Sequence, residues 1–419
     1  MNAEQQDVRR QRGLDIVKRL RIRKTPNGGY IVPSQGGIGT KYAVIMGERP
    51  TCTCPDHELH GDRCKHIYAV EYMIQGEFFE DGTAKITETV RVTETVKRTT
   101  YPQNWPAYNK AQTTEKDHFQ VLLRDLCRGI VEPDAAKTGR PRLPLADVVF
   151  AAAFKVYSTV SGRRFMSDLR EARKRGHITK VAHYNSIFGY LENAALTPLL
   201  RDLITQSSLP LKSVESNFAV DSSGFTTNKF HRWFDHKYGQ ERQEHDWVKV
   251  HIMCGVKTNV VTAIEIQDRN ASDARQMPAL VDATARNFAL AEVSADKGYA
   301  SAKNTETVMR HGGTPYIAFR TSDTGWTGGA WAKMFRHFTE HRGAFLEHYH
   351  KRSNVETTFS MIKRKFGDAV RSKTDVAMMN EALCKVLCHN LVVLIHESHE
   401  LGIEPAFWAD SSPARELVG

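Results

Sequence analysis

Four potential metal ligands lie close together near the N-terminus, and they restrict the local fold more than any other feature of the sequence. Cys52 and Cys54 form a Cys-x-Cys pair, and after nine residues Cys64 and His66 form a Cys-x-His pair. Thiolate and imidazole ligands suit tetrahedral zinc. In an extended chain the two cysteines of a Cys-x-Cys pair lie roughly 6–7 Å apart, beyond disulfide reach. The spacing therefore predicts a small zinc-binding module, with ordinary free or buried thiols as the alternative.

Length and charge limit the rest of the chain. A chain of 419 residues exceeds the roughly 250–300 residues at which single cores stop growing, so two or three domains are expected. The net charge of +10 favours a polyanionic partner such as nucleic acid, although other soluble proteins are also basic. Seven unevenly spaced cysteines indicate a reducing compartment. No run reaches the roughly 18 apolar residues of a membrane span, so we expect no membrane partner.

Changes in composition along the chain predict five segments. They are a zinc module with a basic N-terminal segment (1–79), a Thr-rich charged linker (80–118), a helical domain (119–210), an α/β domain with C-terminal helices (211–400) and a tail (401–419). The helical domain has basic turns and fits either DNA binding or a plain scaffold role. The basic residues 1–26 fit either a solvated tail or a short helix, and we favour the tail.

From residue 215 the pattern alternates between strands and helices, which is typical of a mixed α/β sheet with an antiparallel first part. Two aspartates lie where strands are predicted to end, Asp221 after Phe218–Val220 and Asp296 after Ala291–Ala295. Carboxylates just beyond the ends of neighbouring strands can converge at one edge of a sheet. The alternative for either aspartate alone is a turn or a helix cap.

Two helices of the α/β domain carry further signals. Ser272 predicts the N-cap of a helix whose first turn holds Asp273, whereas Pro278 predicts that this helix begins a few residues later. The apolar C-terminal helix places three metal-binding residue types at helical spacing, and we expect them to be core residues: Cys384, Cys388 and His389.

The most informative helical pattern lies around Glu356. At about 100° per residue, Tyr349, Arg352, Glu356 and Lys363 fall on one stripe about 60° wide, beside an apolar stripe that can pack on a sheet. Residues 351–373 hold seven Lys or Arg against two acids. Glu356 fits either surface ion pairs, which contribute little, or a metal site whose flanking cations bind phosphates. The excess of positive charge favours the metal site.

This spacing resembles the Tyr-x2-Arg-x3-Glu-x6-Lys signature of a large group of DDE transposases from bacterial insertion sequences. All four residues and all three gaps agree. Asp296, followed by Lys297, Gly298 and Tyr299, is similar to the Asp-x-Gly-Tyr box around the second aspartate of these enzymes. The resemblance covers about residues 100–400.

The resemblance implies a ribonuclease-H-like catalytic domain in which Asp221, Asp296 and Glu356 hold two Mg²⁺ (or Mn²⁺) ions. Three further side chains are implied to act on DNA phosphates near the cut: Tyr349, Arg352 and Lys363. The implied activity cleaves the inverted-repeat ends of a transposon and joins them to target DNA. The resemblance also implies a homodimer on paired ends, located at the nucleoid in a prokaryotic cytoplasm.

The segment between the second aspartate and Glu356 contains several glycines and two tryptophans, and the resemblance implies an insertion here in some relatives. We hypothesise that Trp326 or Trp331 stacks on a base flipped out of the transposon end. The alternative is that these rings pack in the protein interior.

The cysteine and histidine pattern resembles the SWIM zinc finger over about residues 40–75, a module that binds DNA or protein. Three other functions compete with transposition. They are a domesticated, transposase-derived DNA-binding protein, a metal-dependent nuclease without strand transfer, and a zinc-organised transcription factor. The intact acids Asp221, Asp296 and Glu356 argue against the first and the third.

Overall fold

The computed structural model of the chain divides into two compact units, residues 1–97 and residues 98–419. The residues that it describes are 3–35, 40–75, 77–78, 84–85, 104–132, 142–227, 247–267 and 272–408. Each unit has a hydrophobic core of its own.

The first unit is a small antiparallel sheet with helices packed on it. Its strands, in sheet order, are β1 (Arg23–Lys24), β2 (Tyr30–Pro33), β3 (Lys41–Ile45) and β4 (Thr51–Cys52). Its helices are α1 (Ala3–Arg19), α2 (Pro55–His60) and α3 (Lys65–Gln75). A separate two-stranded ladder joins β5 (Glu77–Phe78) to β6 (Ala84–Lys85). Apolar residues of α1, β2 and α3 share one core, which includes Ile16, Val32 and Ile67.

The basic N-terminal segment forms helix α1, so our preference for a solvated tail was wrong. Ile16 has no exposed surface. At Gly13 a side chain would meet the Cβ of Tyr68 on α3 at 2.8 Å, so the close crossing of the two helices requires glycine there. Packing against α3 supplies the stability that a short basic helix lacks by itself.

Five helices begin the second unit. They are α4 (Trp105–Cys127), α5 (Leu145–Ser158), α6 (Gly162–Lys174), α7 (Tyr184–Leu191) and α8 (Leu196–Ser208). The structure differs from the predicted linker 80–118, because α4 already begins at Trp105. The side chain of Asn104 caps α4 by accepting a hydrogen bond from the backbone N–H of Ala107 at 3.2 Å. Buried residues such as Phe119 and Leu123 fix the helix in the core.

A five-stranded mixed sheet follows the helices. Its strands are β7 (Asn217–Thr226), β8 (Trp247–Gly255), β9 (Val261–Gln267), β10 (Glu292–Ala295) and β11 (Thr314–Ile317). The order across the sheet is β11-β10-β7-β8-β9. Strands β7, β8 and β9 pair antiparallel, whereas β10 and β11 run parallel to β7. This arrangement confirms the prediction of a mixed sheet with an antiparallel first part.

Helices pack on both faces of the sheet. Those that follow β9 are α9 (Asp273–Ala285), α10 (Ala302–Arg310), α11 (Gly329–Glu340), α12 (Arg342–Tyr349), α13 (Ser353–Phe366) and α14 (Asp375–Leu401). Helix α13 shares a core with Ala219 of β7, and α9 shares another core with the adjacent residues Phe218 and Val220. Because successive side chains of a strand point to opposite faces, α13 and α9 cover opposite faces of the sheet.

Helix α9 begins at Asp273 and contains Pro278, so the prediction of a later start was wrong. Proline has no backbone N–H for the carbonyl four residues earlier, here that of Ala274. The buried side chain of Asn304, on α10, donates to that carbonyl at 2.9 Å instead. Ser272 occupies the N-cap position, but its side chain makes no capping hydrogen bond.

Helix α14 is the central helix of the second unit. The predicted core residues Cys384, Cys388 and His389 are buried in it, as expected. Lys385 is buried as well, and its ammonium group donates to three carbonyls at the end of α13, those of Phe366, Gly367 and Ala369. Among the described helices, α14 is the one that is long and apolar enough to cross a membrane, and 89% of its apolar window is buried inside the protein. Such burial is typical of a core helix.

The first part of the predicted tail packs on the second unit. Phe407 is buried, and the indole N–H of Trp408 donates to the carbonyl of Asp125 at 3.0 Å. The remainder, 409–419, lies outside the described residues.

Candidate functional site

The register between β7 and β10 places two aspartates side by side. Val220 lies opposite Ala295 in this parallel pair, and the next residue on each chain is Asp221 or Asp296. Register partners on neighbouring strands point to the same face of a sheet. Strand β7 continues to Thr226 because β8 pairs with it throughout, so Asp221 lies inside its strand and not at the predicted end. The two aspartates meet where the shorter strand, β10, ends.

Tyr349, Arg352 and Glu356 lie on one helical run that is not a single α-helix. Helix α12 ends at Tyr349, a 3₁₀ turn leads through Arg352, and α13 begins at Ser353. The Tyr349 hydroxyl donates to Asp296 Oδ1 at 3.4 Å. Buried Val355 anchors the first turn of α13, whereas the side chain of Glu356 remains 55% exposed. The run therefore points Tyr349, Arg352 and Glu356 towards the two aspartates.

The Arg352 guanidinium lies among the three carboxylates. Its Nη1 is 2.8 Å from Glu356 Oε1 and 3.8 Å from Asp221 Oδ2. Burial opposes a rise in the pKa of Arg352, but the charges of Tyr349, Glu356, Asp296 and Asp221 outweigh it, so the pKa is raised. Burial raises the pKa of Asp221, while the Ser222 N–H, at 2.8 Å, and Arg352 oppose that rise. One cation thus gathers acids from three separate elements.

A cleft of about 620 Å³ opens beside Asp221 and Glu356. Lys363 lines it and donates to Ser223 Oγ at 2.7 Å. Burial lowers the pKa of Lys363. Arg364 lines the same cleft. The cleft therefore presents cations next to the carboxylates, which suits a phosphodiester backbone that must approach a metal site.

The carboxylates suit a hard divalent cation by their chemistry, because Mg²⁺ and Mn²⁺ prefer carboxylate oxygens. They surround Arg352, which supplies one positive charge where a metal would supply two. In the described part of the chain, one group of three or more His, Cys, Asp or Glu side chains has its ligand atoms within 4.8 Å of one another, and this group is the cysteine cluster of the first unit. The three carboxylates do not form such a group. Joint metal binding by Asp221, Asp296 and Glu356 therefore requires these side chains to close around the ion and Arg352 to turn away.

The cysteine cluster in the first unit is already assembled. The ligand atoms of Cys52, Cys54, Cys64 and His66 lie within 4.8 Å of one another, and all four residues are buried. His66 Nδ1 is 3.9 Å from the sulfurs of both Cys52 and Cys64. Ligand atoms of a tetrahedral zinc site lie roughly 3.5–3.8 Å apart, given the usual zinc–ligand bond lengths. A hydrogen bond from the Cys52 thiol lowers the pKa of Cys64, so one thiolate is favoured from the start. The cluster fits zinc.

Comparison with protein families agrees with both sites. Residues 212–391 match the family described as the transposase DDE domain, and residues 42–75 match the SWIM zinc finger. The chain carries a DDE transposase domain preceded by a SWIM zinc finger. The resemblance stated from the sequence is therefore confirmed. Comparisons with curated proteins and with solved structures found no match.

The two tryptophans of the DDE transposase domain have different environments. Trp331 is buried against Phe319, and its indole N–H donates to the carbonyl of Thr324 at 2.7 Å. This packing disagrees with the base-stacking role that we considered for Trp331. Trp326 is 94% exposed, so its ring remains open for stacking.

The sequence analysis missed a polar cluster behind Asp221 in the DDE transposase domain. Asp273, which we interpreted only as a first-turn helix residue, lies 2.6 Å from the ammonium group of Lys249. It also accepts a hydrogen bond from Ser222 Oγ at 3.2 Å. Buried His251 lies 3.7 Å from the same carboxylate. The available signal was the alternation on β8, which puts Lys249 and His251 on one face beside Ser222.

Proposed function

We propose that this protein is a transposase that cleaves the ends of a DNA element and joins them to target DNA. The observation that carries the proposal is the meeting of Asp221, Asp296 and Glu356 around one cation, beside a cleft lined by Lys363. The strand order, with two parallel strands added to an antiparallel β7–β9 meander, supports a ribonuclease-H-like catalytic fold. The match to the transposase DDE domain supports the reaction class.

The three carboxylates would hold two Mg²⁺ or Mn²⁺ ions. Bound there, the metals supply Lewis-acid stabilisation of the leaving oxygen and lower the pKa of the attacking water or hydroxyl. Tyr349 orients Asp296 through its hydroxyl hydrogen bond. Arg352, once released from Glu356 and Asp221, would pair with a phosphate oxygen, and Lys363 offers a second cation in the cleft.

The proposed reaction is an in-line displacement at phosphorus. In cleavage, a water oxygen forms the new bond to phosphorus, the bond to the 3′ oxygen breaks, and the 3′ oxygen takes a proton. In joining, the freed 3′ hydroxyl attacks a target phosphate and expels another 3′ oxygen. Both steps use the same carboxylates, and neither needs a covalent bond to the protein.

The partners in this proposal are the inverted-repeat ends and the target DNA. Because two ends must be cut together, we propose that a homodimer acts on the paired ends. The helices α4–α8 are proposed to bind DNA, and the protein is proposed to work at the nucleoid. The exposed ring of Trp326 is the remaining candidate for stacking on a flipped base.

A cleavage and joining assay tests the proposal. The probe is a duplex carrying the terminal sequences that flank the coding region, incubated with Mg²⁺ and a supercoiled target plasmid. We expect end cleavage and joining by the wild type, and loss of both in Asp221→Asn, Asp296→Asn and Glu356→Gln with DNA binding kept. Glu306→Gln, an exposed acid on α10, is the matched control and should cut normally.

The outcomes separate the competing functions. Cleavage without joining would favour a metal-dependent nuclease. Binding without cleavage by the wild type would favour a domesticated DNA-binding protein. Equal activity of Glu356→Gln and the wild type would refute the assignment of the third carboxylate.

A further inference from the structure

Helices α5 and α6 form a helix–turn–helix within the helical part of the second unit. Helix α5 ends at Ser158 and α6 begins at Gly162, so the turn has three residues. Thr159 adopts the left-handed conformation, with φ of 56°, and ends α5. The Ser161 side chain then caps α6 by accepting from the Arg164 N–H at 3.4 Å. A three-residue turn between two helices is also found in the DNA-binding helix–turn–helix, whose second helix lies in the major groove.

Helix α6 has one buried face and one basic face. Phe165, Leu169 and Ala172 are buried and join the core of the second unit. At about 100° per residue, four exposed residues lie on a stripe roughly 60° wide on the opposite side of the helix: Arg163, Ser167, Arg170 and Lys174. The helix is therefore fixed by its apolar face and presents a row of cations to solvent.

The acids near this stripe already have partners. Asp168 pairs with Lys116 on α4 at 2.9 Å. Glu171 pairs with Arg175 at 3.2 Å, and lies 3.9 Å from Lys174. Within the described residues no ion pair is seen for Arg163, Arg164 or Arg170. These guanidinium groups therefore keep their positive charge available for a partner.

The first turn of α6 has a charge distribution that disfavours the isolated helix. Arg163 and Arg164 lie in a turn without an acid, at the helix end that is itself partly positive. Gly162 lets Phe188 of α7 pack against this turn, since an added Cβ would meet the Phe188 ring at 2.7 Å. Arg163 lies over the Tyr184 ring, 5.9 Å from its centroid. Arginines at the N-terminal end of a helix go against its local charge preference, and such departures are typical of functional surfaces.

We infer that α6 is a recognition helix that binds in the major groove of a DNA duplex through Arg163, Ser167 and Arg170, with Arg164 on the flank of this stripe. A helix about 10–12 Å wide fits the roughly 12 Å major groove, and arginine pairs with guanine through two hydrogen bonds. The inference deepens the proposed function, because it rests on DNA being the substrate. It adds that sequence recognition lies on α6, none of whose residues lines the cleft beside Asp221.

The test measures duplex binding by the full-length protein. The probe is a pool of duplexes with 20 randomised base pairs, enriched on the wild type, and then the most enriched duplex. For the triple variant Arg163→Gln, Arg164→Gln and Arg170→Gln we expect at least a hundredfold weaker binding to that duplex. We also expect the slope of log affinity against log salt to fall by about 2–3, if each arginine also neutralises a phosphate.

A matched control separates this helix from general basicity. Three exposed cations outside α6 are replaced in the same way: Lys212→Gln, Lys257→Gln and Arg286→Gln. We expect the control to bind the enriched duplex within about threefold of the wild type. Circular dichroism and the melting temperature establish that both variants fold, which exposed side chains permit.

The outcomes distinguish the inference from the proposed transposition. Equal losses in both triple variants, or no loss in the α6 variant, would overturn the recognition helix. Absence of any enriched sequence from the wild-type selection would overturn it as well. Loss of binding confined to the α6 variant supports it even if the wild type shows no Mg²⁺-dependent cleavage, a result that would refute transposition alone.

Discussion

At the scale of single residues, Arg352 has two competing sets of partners. In the structure it contacts Glu356 and approaches Asp221, and so offsets the repulsion between carboxylates. A divalent metal requires the same oxygens, and a DNA phosphate offers the guanidinium an alternative partner. Arg352 therefore stabilises the three carboxylates in the structure and, in the proposed mechanism, would bind a DNA phosphate when these carboxylates hold metals.

This competition predicts opposite effects on metal binding and on catalysis. In Arg352→Gln we expect Mn²⁺ to bind up to about fivefold more tightly, since a competing cation worth about 1 kcal/mol is removed. DNA end cleavage should fall at least tenfold because a phosphate contact is lost. Calorimetric titration with Mn²⁺ and the cleavage assay measure the two effects.

Arg310→Gln serves as the control for this prediction, because Arg310 is exposed and pairs with Asp282 instead. It should change neither quantity by more than twofold. Weaker Mn²⁺ binding in Arg352→Gln than in the wild type would contradict the competition.

At the scale of elements, the buried side chain of Asn304 connects α9 to the turn after β10. Its amide donates to the Ala274 carbonyl, which Pro278 leaves without a helical donor, and to the carbonyl of Tyr299 at 2.7 Å. The same turn begins at Asp296. Asn304 therefore compensates for the proline and also positions the turn that carries the second aspartate.

A double-mutant cycle measures this compensation. Asn304→Ala should lower the free energy of unfolding by about 1–3 kcal/mol, since a buried carbonyl and a partly buried one lose a donor. Pro278→Ala restores a backbone N–H that can donate to the Ala274 carbonyl. It should therefore raise the free energy of unfolding by about 1 kcal/mol more in the Asn304→Ala background than in the wild type. Urea unfolding of the full chain provides the four values.

Pro198→Ala gives the matched control for the cycle. Pro198 lies in the first turn of α8, where a backbone N–H has no helical acceptor. The change in the free energy of unfolding caused by Pro198→Ala should add to that caused by Asn304→Ala. Additivity of Pro278→Ala with Asn304→Ala would show that the amide does not replace the missing N–H.

At the scale of the whole molecule, the chain has two units with separate cores and different sources of stability. The second unit buries a large hydrophobic core that includes α14. The first unit has a small core, in which Cys52, Cys54 and Cys64 are themselves members. Metal binding adds directly to the folding free energy of a domain whose ligands are members of its core.

Removal of zinc should therefore unfold one unit only. We expect one zinc per chain by elemental analysis, and two calorimetric transitions, of which a chelator shifts or abolishes the one belonging to the first unit. Cys64→Ser should have the same effect as the chelator. Cys127→Ala, at a buried cysteine of the second unit, should keep the zinc and alter only the other transition.

Features set by neighbours along the chain could be predicted from the sequence. The four zinc ligands occur within fifteen residues, and their spacing led to the cluster that the structure assembles. The run from Tyr349 to Lys363 is equally local, since helical periodicity places its polar side chains on one side, although a 3₁₀ turn through Arg352 divides the single helix that this periodicity predicts. The family could therefore be recognised from these motifs without knowledge of the tertiary structure.

Features that depend on distant partners required the structure. Asp221 lies inside a strand because β8 extends the pairing of β7 beyond the end of β10. Helix α9 includes Pro278 because Asn304, twenty-six residues later, supplies the missing donor. Burial of Trp331 depends on Phe319. Sequence by itself determined which chemical groups this protein has and their local order, whereas long-range packing decided which of them meet, because burial and hydrogen-bond partners come from elements far apart in the chain.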